Sequence, residues 1–578
     1  MAALLPMGTL LVKFLLFDVI WCMATTFKAF STWQLWLTAV FGAVLLSAPS
    51  VLCRRRWPQI VVMLLTDMWL VANLMYSRTY FTAIPPSSYF LAGNLADFMP
   101  SVVDSLRWAD VLLPLTTAAY AWIAWRRRVS RMQWRLYLPV LGVSALALGI
   151  GLWVGGGLRR MYGSLQLSAH LYASGPAMYT PAGHVVYGLL TAAPEISPEQ
   201  RVMVANWLAS YPPLLSNCCD SACCKRENLI LVLAESLESW VIDAAVEGHE
   251  ITPCLNALVT DSTTLYAPHI LTQVKGGRSI DAQLLALAGL IPLETGTYSV
   301  QYPSNTYYTL PKALHEKYGA RSYLLTVDKA KTWNQGAIAR SFGVDTILSY
   351  PDFELTVTAG SRKRLADMAF VEQIIGKLDR REIWPEGEPA YVQIVTYSGH
   401  APFRLPENLR NISFSADVPE LLANYMITAN YTDAALGRLI DYLRSRSDYE
   451  RTVIVITGDH EGLAQNRGGL VADARRIGLD IAGQYTPFIV VNSPRGGRID
   501  AVAGQVDMYP TLIELLGLND YRWHGLGRSL LDAGRPSLAV GSAYNVDGDT
   551  VGMGAEISRL RDAHRVSDLI LRYDLLAE

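Results

Sequence analysis

The sequence has almost no imbalance of charge, and no tract rich in lysine and arginine follows residue 226. Its 578 residues include 49 Lys and Arg against 51 Asp and Glu. Proteins that bind nucleic acids neutralise phosphates with clustered cations, and this electrostatic attraction supplies much of their affinity. The composition therefore argues against nucleic acid as a partner.

Cysteine is also scarce, with seven residues in the chain, and four of these lie together in the segment 218–224. Their spacing lacks the paired C-x-x-C form of a zinc ribbon, whereas an exported domain permits disulfides. Local disulfides are the preferred interpretation and a metal knuckle is the alternative. We assign this cluster no catalytic role.

Long apolar runs are confined to the first part of the chain. Five candidate membrane spans are each near the roughly 20 residues that cross a bilayer. Asp67 interrupts the third and the fourth is short. A cleaved signal peptide is the rival interpretation of the first, but four more spans would not follow a cleaved signal. The candidates are residues 10–27, 33–52, 60–75, 111–125 and 136–154.

Arginine clusters predict the orientation, because cytoplasmic loops carry an excess of Lys and Arg. Three arginines follow the second span at 54–56, and five lie at 126–135, between the fourth and fifth spans. Both loops should be cytoplasmic, which places the N-terminus inside and everything after the fifth span outside. Arg159 and Arg160 oppose this orientation, but eight arginines support it.

The length exceeds what one hydrophobic core usually supports. We predict a transmembrane domain at 1–157, a partly helical connector at 158–226 and a soluble domain at 227–578. The soluble part alternates apolar strand patterns with helical patterns such as 419–445 and 507–517, which indicates an α/β class with a largely parallel sheet. The predicted strands are 228–236, 322–327, 390–396, 452–457 and 487–492.

Carboxylates end two of these strands. Asp459 and His460 follow the apolar run 452–457, and Glu235 follows the run that begins at Asn228. The carboxyl edge of a parallel sheet is where α/β proteins carry their functional groups, so these side chains suggest metal ligands. The alternatives are that Asp459 caps a turn beside a merely polar His460, and that Glu235 caps a helix.

A serine follows two glycines in the segment 275–282. Ser279 opens an apolar helix that continues to Leu290. A hydroxyl there faces unpaired backbone N–H groups and the positive end of the helix dipole, which suits an oxygen that attacks an anionic phosphorus centre. The alternative is an ordinary helix cap.

Behind five spans come a strand ending in Glu, a Gly-rich turn with Ser, and a strand ending in Gly-Asp-His. This order of motifs resembles that of the lipoteichoic acid synthase family. That family belongs to the alkaline phosphatase and sulfatase superfamily. The resemblance extends over nearly the whole chain. Further matching segments are 251–253, 332–334, 341–343, 398–403, 431–433 and 506–512.

The resemblance implies roles for residues at matching positions. One divalent cation, expected to be Mn²⁺ with Mg²⁺ or Zn²⁺ as alternatives, would be bound by Glu235, Ser279, Asp459 and His460. Ser279 would be the nucleophile, where many members carry Thr, and His400 would bind phosphate or act as acid and base. Substrate contacts are expected from Arg278, Asp328, Trp333, Gln335 and His400.

The chain departs from the family pattern beside the predicted headgroup site. The family commonly has His two residues before the Asp and Arg two residues after the Trp, whereas this chain has Thr326 and Gln335. Loss of an Arg removes a bidentate clamp on phosphate. The chemistry can persist with a different headgroup or acceptor, so we do not infer a teichoic acid polymer as the product.

The implied function is a phosphotransferase in the bacterial cytoplasmic membrane, with its catalytic domain outside the cytoplasm. It would move glycerol phosphate from phosphatidylglycerol, through a covalent serine intermediate, to a hydroxyl of a glycan or glycolipid. The alternatives are a phosphoethanolamine transferase acting on lipid A or another envelope glycan, a phosphodiesterase or sulfatase-like hydrolase, and a binding module without activity. Ser279 lacks the C/S-x-P-x-R context of sulfatases, and Thr396 stands where two-metal enzymes usually carry Asp.

Overall fold

The structure, a computed structural model, forms two compact units. The first comprises Met1–Glu195, Thr295–Gln301 and Lys331–Ala337, and the second comprises Ile196–Glu294, Tyr302–Ala330 and Ile338–Glu578. The domain boundaries after residues 157 and 226 stay predictions, and the cysteine cluster at 218–224 lies outside the described residues. Described are residues 4–25, 29–53, 55–80, 83–84, 106–126, 133–157, 171–191, 196–211, 226–294, 297–360, 363–463 and 466–577.

The first unit is helical. In the part of the chain that the structure describes, four helices are long and apolar enough to cross a membrane: Leu5–Ala24, Trp33–Leu52, Trp57–Ser77 and Trp134–Val154. The second of these includes a short break, so its helical segments are Trp33–Leu46 and Pro49–Leu52. Further helices of this unit are Leu171–Thr191 and Tyr298–Gln301.

The prediction of five spans is therefore wrong in its count. The fourth candidate forms helix Leu112–Arg126, which has 15 residues. At 1.5 Å per residue this helix is about 22 Å long, shorter than the ~30 Å hydrocarbon core of a bilayer. Its composition is apolar, but its length falls below that of the other four helices.

Asp67, which interrupts the third candidate span, is buried against a cation from the first. Lys13 donates through Nζ to the Asp67 carboxylate and, over 3.0 Å, to the hydroxyl of Thr117. That hydroxyl donates to the other Asp67 oxygen over 2.6 Å. The network joins three helices of this unit, and mutual pairing reduces the cost of holding these charges among apolar side chains.

The second unit contains the α/β domain. Its described strands are β1 Asn228–Ala234, β2 Ala245–Val246, β3 His249–Glu250, β4 Leu265–Leu271, β5 Arg321–Thr326, β6 Thr346–Leu348, β7 Thr358–Ala359, β8 Arg364–Leu365, β9 Ala390–Val395, β10 Thr452–Gly458, β11 Tyr485–Val491, β12 Gly497–Arg498, β13 Ala503–Gly504, β14 Leu538–Val540 and β15 Val546–Gly548. Nine of these strands form the main sheet, in the order β12-β4-β11-β10-β1-β9-β5-β6 with β13 also paired to β4, and the other six form three two-stranded sheets.

The centre of the sheet is parallel, whereas β11 runs antiparallel to both of its neighbours. Every residue of β1, β9 and β10 is buried, because helices cover both faces of such a sheet. The α/β prediction with a largely parallel sheet is confirmed. Helices of this unit are Pro198–Ser210, Pro253–Val259, Ser279–Ala288, Leu310–Tyr318, Asp367–Asp379, Glu420–Arg444, Arg467–Arg476, Met508–Leu515 and Gly554–Tyr573, and helix Gln335–Ser341 has residues in both units.

Candidate active site

Glu235 is the first residue after β1 and lies at the carboxyl edge of the sheet. It is 8% exposed, and its Oε1 accepts a hydrogen bond of 2.7 Å from the hydroxyl of Ser236. Its backbone N–H donates to the hydroxyl oxygen of Thr396, 2.9 Å away, just beyond the neighbouring strand β9. That strand thus fixes the backbone from which the Glu235 carboxylate projects.

Asp459 and His460 follow β10, on the other side of β1. Oδ1 of Asp459 accepts the N–H of Ser236 at 2.7 Å and that of His460 at 2.8 Å. Oδ2 of Asp459 is buried and accepts no hydrogen bond from any described residue. Nε2 of His460 lies 3.5 Å from this oxygen and 3.6 Å from Oε1 of Glu235. A buried oxygen without a donor indicates a partner of another kind, such as a cation.

These three residues fit a divalent metal ion. Glu235, Asp459 and His460 each offer one ligand atom, and the three atoms lie within 4.8 Å of one another. Burial, and secondarily the charge of Asp459, raises the pKa of Glu235 to about 8. A divalent cation would stabilise both carboxylates in their ionised form. Oxygen ligands with one imidazole suit Mn²⁺ or Zn²⁺ without choosing between them.

Ser279 begins a ten-residue helix and meets the same cluster. Its hydroxyl oxygen lies 3.4 Å from Nε2 of His460. The preceding loop folds onto Asp281, whose Oδ2 accepts the N–H groups of Lys275 and Gly277, each at 2.9 Å. A Cβ on Gly277 would lie 2.2 Å from Oδ1 of Asp281, so glycine is required for this close approach. The loop therefore fixes where the serine hydroxyl points.

Arg278, predicted to bind substrate, contacts the chain beside His460. Its guanidinium donates to Oε1 of Glu461 at 2.5 Å and to the backbone carbonyl of the same residue at 2.8 Å. One of its nitrogens also lies 3.1 Å from Nδ1 of His460. The backbone of Arg278 has a φ of +50°, a region that disfavours residues with side chains. Its contact with substrate stays a prediction.

His400 lies on the loop after β9, close to the backbone of Glu235. A Cβ on the preceding residue, Gly399, would lie 2.2 Å from the carbonyl oxygen of Glu235, so the two loops are in contact. The imidazole stacks on Tyr397 with ring centres 5.2 Å apart. Its Nδ1 lies 2.8 Å from the carbonyl oxygen of Ala401. Because a carbonyl only accepts, Nδ1 carries the proton and Nε2 is left to exchange one.

The residues predicted to hold the headgroup are divided between the two units. Asp328 lies in the second unit, two residues beyond β5, and its Oδ1 accepts a hydrogen bond of 2.7 Å from Nε of Arg364. Trp333 and Gln335 lie in the first unit. The structure thus brings Asp328, but not the other two residues, into the unit that contains Glu235.

The buried ion pair between Glu238 and Arg467, which lies beside the site, was not predicted from the sequence. Oε1 of Glu238 accepts the N–H groups of Gly462 and Leu463 at 2.7 and 2.9 Å, and Oε2 accepts from Arg467 at 2.5 Å. This carboxylate holds the chain immediately after His460. Glu238 and Arg467 are 229 residues apart, so no local pattern joins them.

Known protein families match both parts of the chain. The family described as Sulfatase matches residues 227–518, which is half of the sequence. The chain belongs to the sulfatase family. The Lipoteichoic acid synthase N-terminal domain matches residues 2–162, so the resemblance to lipoteichoic acid synthases is confirmed in the helical part as well.

Curated relatives of this sulfatase-family protein carry related names. The lipoteichoic acid synthase-like protein YvgJ of Bacillus subtilis is 29% identical over 329 residues, which are 55% of this chain and 51% of the relative. The lipoteichoic acid synthase of Staphylococcus aureus is 28% identical over 319 residues, 54% of this chain and 48% of the relative. The chain therefore spans about half the length of the curated relatives it matches.

Solved structures share the fold at low sequence identity. The lipoteichoic acid synthase LtaP from Listeria monocytogenes superposes with a TM-score of 0.53 and 18% identity, covering 64% of this chain and 98% of that one. An alkaline phosphatase superfamily protein from Vibrio parahaemolyticus gives 0.50 and 16%, covering 65% and 97%. Both neighbours support the alkaline-phosphatase-like fold of the second unit.

Proposed function

We propose that this sulfatase-family protein is a membrane-bound, metal-dependent phosphotransferase. It moves glycerol phosphate from phosphatidylglycerol to a hydroxyl of a glycan or glycolipid, through a covalent intermediate on Ser279. One observation carries the proposal: the Ser279 hydroxyl, at a helix N-terminus, lies 3.4 Å from Nε2 of His460 beside two buried carboxylates. The names of the relatives, which are lipoteichoic acid synthases, support the same class of reaction.

The cation expected at this site is Mn²⁺, held by Glu235, Ser279, Asp459 and His460. When bound, a divalent cation supplies positive charge that stabilises an ionised serine oxygen and the charge that develops on phosphorus. The N–H groups of Ile280, Asp281 and Ala282 donate to the carbonyls of Gly277 and Arg278, so the helix that begins at Ser279 adds the positive end of its dipole rather than unpaired donors. The site thus presents several positive groups to an anionic phosphodiester.

In the first half of the reaction the oxygen of Ser279 attacks the phosphorus of the lipid. A new bond forms between phosphorus and this oxygen, the serine proton passes to solvent, and the bond from phosphorus to the diacylglycerol oxygen breaks. His400, in its protonated form, gives a proton to the departing oxygen. The products are diacylglycerol and glycerophosphoryl-Ser279.

In the second half an acceptor hydroxyl attacks the same phosphorus. Nε2 of His400 takes the proton of that hydroxyl, which restores the protonated imidazole. The bond between phosphorus and Ser279 breaks, and the serine recovers a proton from solvent. Energy for the transfer comes from the donor ester, so the reaction needs no nucleotide.

Hydrolysis by a two-metal site is disfavoured by Thr396, the first residue after β9. Its hydroxyl accepts the N–H of Glu235, and it offers no carboxylate that could bind a second ion. A single cation and a covalent intermediate suit transfer to an alcohol.

The apolar helices and the match to the lipoteichoic acid synthase N-terminal domain indicate a membrane protein. We propose that its membrane is the bacterial cytoplasmic membrane and that the second unit lies outside the cytoplasm. The arginine clusters at 54–56 and 126–135 support this orientation when helix Leu112–Arg126 also crosses the membrane, because both clusters then lie on the cytoplasmic side. A membrane anchor keeps the site close to headgroups confined to a bilayer surface.

The test is turnover of phosphatidylglycerol by the full chain in vesicles with Mn²⁺. We expect release of diacylglycerol, and a mass increase of one glycerophosphoryl group on the peptide that contains Ser279 when no acceptor is added. The proposal is wrong if the wild type does not turn over phosphatidylglycerol, or if Ser279→Ala releases diacylglycerol at the same rate. Free glycerol phosphate in the presence of a glycolipid acceptor would instead identify a hydrolase.

A further inference from the structure

Two cations surround one tyrosine ring next to Asp328. The guanidinium carbon of Arg364 lies 5.1 Å from the centre of the Tyr350 ring, and Nζ of Lys329 lies 5.5 Å from it. Arg364 also donates through Nε to Oδ1 of Asp328, over 2.7 Å. Two positive charges against one negative charge leave this group, here called the Tyr350 cluster, with a net charge of about +1.

The Tyr350 cluster is built on the edge of the sheet that carries the site. Strand β5, which ends two residues before Asp328, pairs in parallel with β9, and β9 pairs in parallel with β1. Parallel strands end at the same edge and lie about 4.8 Å apart, so the ends of β5 and β1 are separated by roughly 10 Å. Asp328 and Glu235 thus lie on the same edge of the sheet, separated by the end of β9.

The hairpin that carries Arg364 is fixed to the loop of His400. The N–H of Gly360, between β7 and β8, donates to the carbonyl of Arg404 at 3.1 Å. Just after β8, Oδ1 of Asp367 accepts the N–H groups of Tyr397 and Ser398, each at 3.0 Å. Arg364 is therefore held beside the segment that also positions His400.

We propose that Arg364 and Lys329 select the donor by the charge of its headgroup. They favour a phosphodiester whose headgroup is an uncharged polyol and disfavour one that carries an ammonium group. The proposal rests on the proposed phosphotransferase function and assigns its specificity to residues outside the metal and serine cluster.

The guanidinium of Arg364 has five N–H donors, and its bond to Asp328 uses one of them. The others suit the oxygens of a phosphate, since guanidinium and phosphate match in geometry and charge. A hydroxyl of the headgroup can donate to the carboxylate of Asp328, which has several lone pairs. A polyol phosphate can therefore accept hydrogen bonds from Arg364 through its phosphate and donate one to Asp328 through a hydroxyl.

An ammonium group meets the opposite environment. Its natural partner, the carboxylate of Asp328, is already paired with Arg364. Lys329 adds a second like charge on the same ring. The side chains of Arg364 and Asp328 are only 15% and 19% exposed, so solvent screens this repulsion less than it would at an open surface.

The experiment compares two lipids with the full chain in phosphatidylcholine vesicles. One set contains phosphatidylglycerol and the other phosphatidylethanolamine, and only the tested donor carries a fluorescent acyl chain. Release of labelled diacylglycerol is measured with Mn²⁺ for the wild type, Arg364→Gln, Lys329→Gln and Arg364→Lys. The control variant is Arg438→Gln, which removes a guanidinium from an exposed pair with Glu372.

We expect the wild type to prefer phosphatidylglycerol, and Arg364→Gln to reduce this preference about tenfold or more, as for loss of one charge-assisted hydrogen bond. Arg364→Lys should retain part of the preference, because the charge remains without the planar fork. Lys329→Gln breaks no ion pair of the described residues, so a smaller loss of preference is expected from a variant that folds. Arg438→Gln should match the wild type.

The outcomes separate this inference from the proposed function. If the wild type uses phosphatidylglycerol and both Arg364→Gln and Lys329→Gln keep its preference, the selection assigned to the Tyr350 cluster is wrong while the transferase stands. If the wild type prefers phosphatidylethanolamine, the inference is wrong and the protein is identified as a phosphoethanolamine transferase. If neither lipid is turned over by the wild type, the proposed function itself fails.

Discussion

The hydroxyl oxygen of Ser279 lies 3.4 Å from Nε2 of His460, although the two residues are 181 positions apart in the chain. The serine stands at the start of a helix and the histidine at the end of a central strand. Their contact places a reactive hydroxyl beside the buried carboxylates of Glu235 and Asp459. Because the proposed nucleophile and the proposed metal ligands come from different segments, each can be substituted separately.

Ser279→Ala should abolish release of diacylglycerol, lowering the rate at least about a thousandfold, because removal of a nucleophile leaves only binding and electrostatic effects. Ser279→Thr keeps the hydroxyl and should retain measurable turnover. The control is Ser558→Ala, at an exposed position on the C-terminal helix. Equal rates for Ser279→Ala and the control would contradict a serine intermediate.

Asp459→Asn should remove stabilisation by metal while leaving the fold intact. The remaining oxygen of Asn can still accept the N–H groups of Ser236 and His460. A ligand at 100 times its dissociation constant stabilises the folded state by about 2.7 kcal/mol. We expect Mn²⁺ to raise the Tm of the wild type in detergent and not that of the variant. An equal rise in both would place the metal elsewhere.

Metal affinity should increase with pH. The pKa of Glu235 is raised from its ordinary value of 4.5 to about 8 by burial and by Asp459, so near pH 7 the metal-free site holds a proton that a cation must displace. The apparent affinity should rise about tenfold per pH unit from pH 6 towards 8 and level off above 8. Titration calorimetry in buffers of different ionisation heat should detect proton release below pH 8. An affinity that is constant from pH 6 to 8 would contradict this.

Glu238→Gln should destabilise the protein through the chain that follows His460. The substitution leaves the Arg467 guanidinium buried without its carboxylate, and such a loss costs about 3–5 kcal/mol. Arg438→Gln breaks an exposed pair and should change stability by less than about 1 kcal/mol. Thermal unfolding in detergent measures the stability of both variants. Equal losses of stability would contradict a larger contribution from the buried pair than from the exposed one.

The side of the membrane on which the second unit lies depends on helix Leu112–Arg126. With the N-terminus inside, four crossings would return the chain to the cytoplasm, so an outside location requires another crossing. We expect a periplasmic alkaline phosphatase reporter fused after Glu578 to be active and a fluorescent protein fused there to be dark. The reverse pattern would place the second unit in the cytoplasm.

The buried polar network can be tested with two variants, compared by the amount of folded protein recovered in detergent. Thr117 lies in helix Leu112–Arg126 and bonds to Asp67, which pairs with Lys13. Lys13→Leu leaves a buried carboxylate unpaired, whereas the double variant with Asp67→Leu removes both charges. We expect less folded protein from the single than from the double variant, and equal amounts would contradict a role for the pair.

Much of the candidate site could be predicted from local patterns. Continuous apolar runs mark central strands, and residues that end them share one edge because the strands are parallel. This reasoning predicts that Glu235, Asp459 and His460 share one edge, and in the structure their ligand atoms lie within 4.8 Å of one another. Ser279 followed from two glycines before an apolar helix. The number of spans did not follow in the same way, because hydropathy does not fix where a helix such as Leu112–Arg126 begins.

Short-range periodicity in the sequence is thus enough to predict the fold class and the chemical groups at the sheet edge. The ion pairs around the site depend on long-range packing instead: Glu238 with Arg467, Arg278 with Glu461, and Asp328 with Arg364. Each of these pairs joins loops or helices distant in the chain. Their meeting depends on the paths of connections that have no periodic pattern, so local propensity carries no signal for it.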